Sequence, residues 1–159
     1  MRAGRGGTAK GRALGMMGAW AVLALGLDRL SKLVVAQFIP PGESVPVWQR
    51  VFHLTHVRNP GAAFGLLPGW DGLLVVLPVV VTVAAVWAVL ARAVRDPLLL
   101  LAGGLIVGGS LGNLVDRVTT GMVTDFLDFR VWPVFNLADT FIVVGAALLV
   151  LSLVRGGAD

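Results

Sequence analysis

The chain contains no cysteine. That excludes disulfides, zinc–thiolate centres and cysteine nucleophiles, and it leaves the redox compartment open. It also contains no tyrosine and only two histidines. His53 and His56 are three positions apart, and two histidines alone do not make a zinc site, so they read as loop residues. No metal and no cofactor are expected. Charge is scarce as well: of 159 residues, 14% are charged while 57% are hydrophobic. A soluble protein of this size needs more polar surface, so lipid is the solvent for much of this one. The net charge is +4, but the bases form no stripe interleaved with aromatics, and nucleic acid is excluded as a partner. There is no Gly-x-Ser-x-Gly elbow, and no histidine is placed by spacing to activate Ser110, which argues against a serine peptidase.

What is present is apolar sequence in blocks. The length suits one domain. A membrane helix needs about 20 mostly apolar residues. Three segments supply them, at about 72–90, 98–114 and 135–153. The first block, Leu14 to Leu27, is only about 21 Å of helix. To cross, it must continue through Asp28, Arg29, Ser31 and Lys32 to Phe38. A cleaved signal peptide is the competing reading of this basic start and short apolar core. Apolar residues resume at Leu33 to Ile39 with no polar mature start, which argues against it. The expected fold is an all-α membrane protein with four transmembrane helices, at about 14–38, 72–90, 98–114 and 135–153.

Basic residues set the orientation. With the N-terminus inside, that side holds Arg2, Arg5, Lys10, Arg12, Arg92, Arg95 and Arg155 and carries a balance of +5; the rest of the chain carries −1. Both termini are therefore expected to be cytoplasmic. Residues 1–13 form a disordered tail, 14–154 a single domain and 155–159 a second tail. Loops 39–71 and 115–134 lie outside, and Arg92 to Pro97 makes a tight inner turn. A small extracytoplasmic β-rich segment is expected from Val45 to Trp48, Val51 to Val57, and a strand or hairpin over Val118 to Val131 with Thr120-Gly121 as its turn.

Carboxylates beside lipid are costly and need a reason. Asp28, Asp116, Asp125, Asp128 and Asp139 all fall near outer span ends, although the topology was not drawn from them. In Gly108-Gly-Ser-Leu-Gly-Asn-Leu-Val-Asp-Arg117, three glycines allow close helix approach, and Asn113 shares a helix face with Asp116 and Arg117. In Val123-Thr-Asp-Phe-Leu-Asp-Phe129, a strand sends Asp125 one way and Asp128 the other, without saying which faces a site. In Phe135-Asn-Leu-Ala-Asp139, Asn136 suits an N-cap, and the helix dipole favours the acid three residues on. Capping and catalysis are compatible there. Two close carboxylates share a proton, one as acid and one as general base, and together activate water. If Asp125 and Asp139 meet, the helix end favours Asp139 as the anion, with Asp125 holding the proton. A proton-coupled transporter and a non-catalytic membrane scaffold are the rival readings. The acids gather at one boundary with no relay toward the inner face.

These stretches, with Asp28-Arg-Leu-Ser-Lys32 and Asn59-Pro-Gly-Ala-Ala-Phe-Gly65, resemble the lipoprotein signal peptidases (signal peptidase II). Five motifs occur in the family's order, and the likeness covers about Leu14 to Leu153. The resemblance implies a catalytic pair at Asp125 and Asp139. It implies supporting or substrate-binding roles for Asp28, Lys32, Asn59, Gly61, Phe64, Gly65, Asn113, Asp116, Arg117 and Asn136. It further implies removal of the signal peptide from a prolipoprotein just before a cysteine carrying diacylglyceryl, in the bacterial cytoplasmic (inner) membrane. The active site would lie near the extracytoplasmic face and be blocked by globomycin. Membrane lipid and the prolipoprotein are the expected partners of a monomer. The family's first motif usually has Gln after its Asp; here Arg29 stands there.

Overall fold

The computed structural model describes residues 4–60, 76, 79–80, 82–84, 86–87 and 96–155. Helix α1 (Gly4–Phe38) has 35 residues, about 52 Å of helix, more than a hydrocarbon core requires. It begins ahead of the expected start at Leu14, so residues assigned to a disordered tail are helical from Gly4 onward. Lys10, Arg12 and Ala13 are good helix formers and carry the hydrogen-bond ladder back from the apolar block. Helix α2 (Pro97–Thr120) starts with proline at its first position and Asp96 as N-cap, whose carboxylate accepts the Leu98 N–H at 2.9 Å. It ends at Gly121, which is left-handed (φ 72°) and donates its N–H to Arg117 O at 3.0 Å. Helix α3 (Leu137–Arg155) completes the set of three long helices among the described residues.

The end of α2 corrects one expectation. Val118 to Thr120 is helix rather than strand, and Gly121 stops a helix instead of turning a hairpin. The strand that follows is correspondingly short. Helices α2 and α3 are each long and apolar enough to cross a membrane. The expected span 72–90 falls mostly outside the described residues; those described there, such as Val79, Val83 and Trp87, are helical. The expected inner turn lies outside them too, apart from Asp96 and Pro97.

Helix α2 is the central one, packed on both α1 and α3. Its glycines make this possible. A Cβ at Gly108 would meet Ala21 O of α1 at 2.5 Å, and one at Gly109 would meet Ala138 O of α3 at the same distance. Helix backbones therefore touch, as small-residue packing in membranes allows. Leu23, Leu30 and Leu33 of α1 and Val143, Val150 and Val154 of α3 stay exposed, as lipid-facing residues should.

Three strands form one antiparallel sheet: β1 (Ser44–Trp48), β2 (Phe52–Asn59) and β3 (Val123–Asp128), in that order. Val57 pairs with Asp125 and Asn59 with Val123, after a bulge between Leu54 and Val57. The sheet sits on the ends of the helices through Val35, Ile39 and Phe126, with Leu54, Leu127 and Leu137 packed around them. Buried His56 donates from Nδ1 to Ile39 O at 2.6 Å, tying β2 to the chain leaving α1.

Candidate active site

Polar side chains from α1, β2, α2, β3 and the start of α3 converge where the sheet meets the helix ends. They form two linked clusters.

In the first, Lys32 of α1 is the hub. Its buried ammonium lies 2.9 Å from Asp28 Oδ2 and 2.8 Å from Asp116 Oδ2. It also donates to Asn113 Oδ1 at 3.0 Å. Asp28 is fully buried and its other oxygen accepts the Ala138 N–H at 3.0 Å, so α1 holds the first turn of α3. There is room for that carboxylate because position 112 is glycine; a Cβ there would collide with Asp28 Oδ2. Asp116 also pairs with Arg29 and accepts the Thr124 N–H at 3.3 Å.

In the second, Asp125 and Asp139 are held by amides. Asn59 Nδ2 donates to Asp125 Oδ2 at 2.9 Å, and Asn136 Nδ2 to Asp125 Oδ1 at 2.6 Å. Asn113 Nδ2 donates to Asp139 Oδ1 at 2.8 Å. Asn136 and Asp139 also cap the helix reciprocally: the Asp139 N–H reaches Asn136 Oδ1 at 2.9 Å, and the Asn136 N–H reaches Asp139 Oδ2 at 3.2 Å. Asn136 Nδ2 further donates to Asn113 Oδ1 at 3.1 Å, closing a bridge between the two acids. Burial pushes the Asp125 carboxyl up to about 6; the Asn59 hydrogen bond opposes this, and the negative charge of Asp139 adds to it.

Alternation along β3 left the choice between its two acids open, and the structure resolves it. Asp125 faces the clusters, whereas Asp128 accepts from Thr55 Oγ1 at 2.7 Å and from Arg130 N at 2.8 Å. Burial alone would raise the Asp128 carboxyl, but those hydrogen bonds and the Arg130 charge outweigh it and hold it below the usual carboxylate range. Asn113 and Asp116 are buried near the C-terminal end of α2, with Arg117 half-buried beside them, and Arg117 stands within electrostatic reach of Asp139, Asp125 and Asp116. Its Nε is buried without a hydrogen-bond partner among the described residues. Gly61, Phe64 and Gly65 lie outside the described residues. Sequence reasoning missed the Thr55–Asp128 bond, the Ala138 N–H on Asp28 and the Arg29–Asp116 pair, since no spacing rule reports tertiary partners.

Beside Asp139 lies an apolar groove of ≈ 590 Å³, lined by Phe129, Trp132, Phe135, Thr140 and Val143. A polar centre at the ends of apolar helices, opening on an apolar groove, is the arrangement of a helical membrane enzyme. A bacterial membrane enzyme solved by the in meso method at 2.3 Å is similar to this fold, with a TM-score of 0.79 and 30% identity over 89% of this chain and 88% of that one.

Residues 20–155 match the family Signal peptidase (SPase) II, and the chain belongs to that family. The lipoprotein signal peptidase of Halothermothrix orenii is 50% identical over 80% of this chain and 87% of its own length. That of Pelotomaculum thermopropionicum is 47% identical over 81% and 85%, and that of Moorella thermoacetica 48% over 81% and 86%.

Proposed function

We propose that this signal peptidase II is an aspartyl endopeptidase that removes the signal peptide from diacylglyceryl-modified prolipoproteins, cutting before the lipidated cysteine. The observation that carries the reading is the Asn113–Asn136 bridge, which holds Asp125 and Asp139 as a pair. Asp139, receiving N–H donors at a helix N-terminus, is the general base. Asp125, raised by burial, carries the shared proton. A water between them gives its proton to Asp139 while its oxygen bonds to the scissile carbonyl carbon. The Asp125 proton goes to the carbonyl oxygen. The tetrahedral species then expels the amine, which takes a proton from Asp139 as the C–N bond breaks, and the returning carbonyl gives its proton back to Asp125.

The groove lined by Phe129, Trp132 and Phe135 gives apolar parts of the substrate a place beside Asp139. Gly61, Phe64 and Gly65 follow Asn59 in the chain and are assigned to contact with the peptide. Lys32, Asp28, Asp116, Arg117, Asn113 and Asn136 position the pair. Four spans, cytoplasmic termini and a site at the extracytoplasmic face of the bacterial inner membrane accord with the distribution of basic residues. Globomycin is the expected inhibitor of a monomeric enzyme.

The test is cleavage of a diacylglyceryl-modified prolipoprotein by the purified protein in detergent. The parent is expected to cut before the lipidated cysteine, with or without chelator, and to be blocked by globomycin. Cleavage that stops with chelator, or that survives both Asp125→Asn and Asp139→Asn, overturns the mechanism.

A further inference from the structure

On the other side of the Lys32 cluster, a second pocket opens between α1, the end of α2 and the sheet. Its volume is ≈ 150 Å³, and Arg29, Lys32, Arg58, Asp116, Thr120 and Thr124 supply its polar lining. We propose that this pocket binds the phosphate group of an outer-leaflet phospholipid.

Charge is the first argument. Lys32 and Arg29 are balanced by Asp28 and Asp116. Arg58 is exposed on β2 and has no ion-pair partner among the described residues, so the pocket keeps one positive charge in excess. A phosphodiester carries one negative charge and matches it. Donors are the second argument. Arg29 uses Nη1 on Asp116, and its other N–H groups have no partner among the described residues. Arg29 and Arg58 thus both line one small volume, and guanidinium is the side chain best suited to phosphate oxygens. The third argument is the border. Leu33 and Ala36 form the apolar wall, and exposed Leu30, Leu33 and Val34 continue along α1 where acyl chains would run. A free anion has no use for that apolar flank. The pocket borders the Lys32 cluster and shares Lys32 and Asp116 with it, and its outer-leaflet assignment rests on the orientation proposed above.

Lipid retention by the full chain, purified in detergent and read by native mass spectrometry, tests the proposal. The probes are phosphatidylglycerol, an uncharged diacylglycerol and inorganic phosphate. The parent is expected to retain phosphatidylglycerol in preference to diacylglycerol. Arg58→Gln, an exposed change that leaves the buried network intact, should cut that retention about ten-fold. Arg29→Gln should do the same wherever it remains folded. Arg50→Gln, in the turn between β1 and β2, should change nothing. Parent-like retention in Arg58→Gln, or an equal loss in Arg50→Gln, overturns the site. Inorganic phosphate that binds as tightly as the lipid assigns the pocket to a soluble anion and overturns the lipid.

Discussion

The two polar clusters use the same acid to opposite ends. Around Lys32, the carboxylates of Asp28 and Asp116 meet cations at ion-pair distance. Around Asn136, those of Asp125 and Asp139 meet neutral amides and backbone N–H groups. A cation within about 4 Å favours the charged form of a carboxylate through charge, whereas an amide orients it and favours the charged form only through a hydrogen bond. One cluster is a network of ion pairs and the other a network of hydrogen bonds to neutral donors. Asn113 belongs to both, accepting from Lys32 and donating to Asp139.

The largest effect expected is on turnover. Asp125→Asn or Asp139→Asn should lower the single-turnover cleavage rate at least about 10³-fold and leave thermal unfolding in detergent nearly unchanged. Equal destabilisation in both assays would erase the distinction between the clusters. Next is Lys32→Met, which leaves buried Asp28 without its cation while Asp116 keeps Arg29, and should cost about 3–5 kcal/mol of stability. A parent-like melting temperature for that variant would show that those acids do not rest on its charge.

Asn59→Ala sharpens the comparison through pH. The carboxyl of Asp125 titrates at about 6 in the fold against an ordinary value of 3.8. Its protonation therefore contributes stability that is full below 3.8 and lost as pH rises through about 6. Under the proposed mechanism cleavage needs this proton and should fall along the same limb. The Asn59 hydrogen bond favours the charged form, so its removal should move that limb to higher pH in a pH–rate profile. An unmoved limb would put the titration elsewhere. The smallest effect is expected at Asp128→Asn, roughly 1 kcal/mol or less of stability, with cleavage within about two-fold of the parent. A large loss of turnover there would make the second face of β3 part of the chemistry.

How legible each cluster was in the sequence follows from the range of its contacts. Asn136 and Asp139 were readable because helix capping is local, and the reciprocal bonds are what an asparagine and an acid three residues apart can make. The glycines of α2 announced a close approach but not the partners, Ala21 and Ala138. The choice between Asp125 and Asp128 was unreadable, because alternation defines two faces and labels neither. Asp28 on the Ala138 N–H was beyond reach, since the two lie 110 positions apart. Thr120-Gly121 misled, since a left-handed glycine closes hairpins and helices alike. Family likeness pointed to Asp28, Lys32, Asn113, Asp116, Asp125, Asn136 and Asp139, which the structure brings together, without saying how they touch.

The two ends of α2 have one more consequence. Asp96 fixes where the helix starts and Gly121 where it stops, with Ser152 of α3 hydrogen-bonded to Asp96 at the first end and Thr124 of β3 to Asp116 near the other. Between them the helix is an indexed shaft, turning about 100° per residue. Gly109 and Gly112 address α3 and Asp28, while Asn113 and Asp116 address the acids and Lys32. A single residue inserted before Gly108 would put all of them out of phase with the end capped by Asp96 at once. A substitution along α2 disturbs one address, whereas a change in the residue count disturbs every address at once.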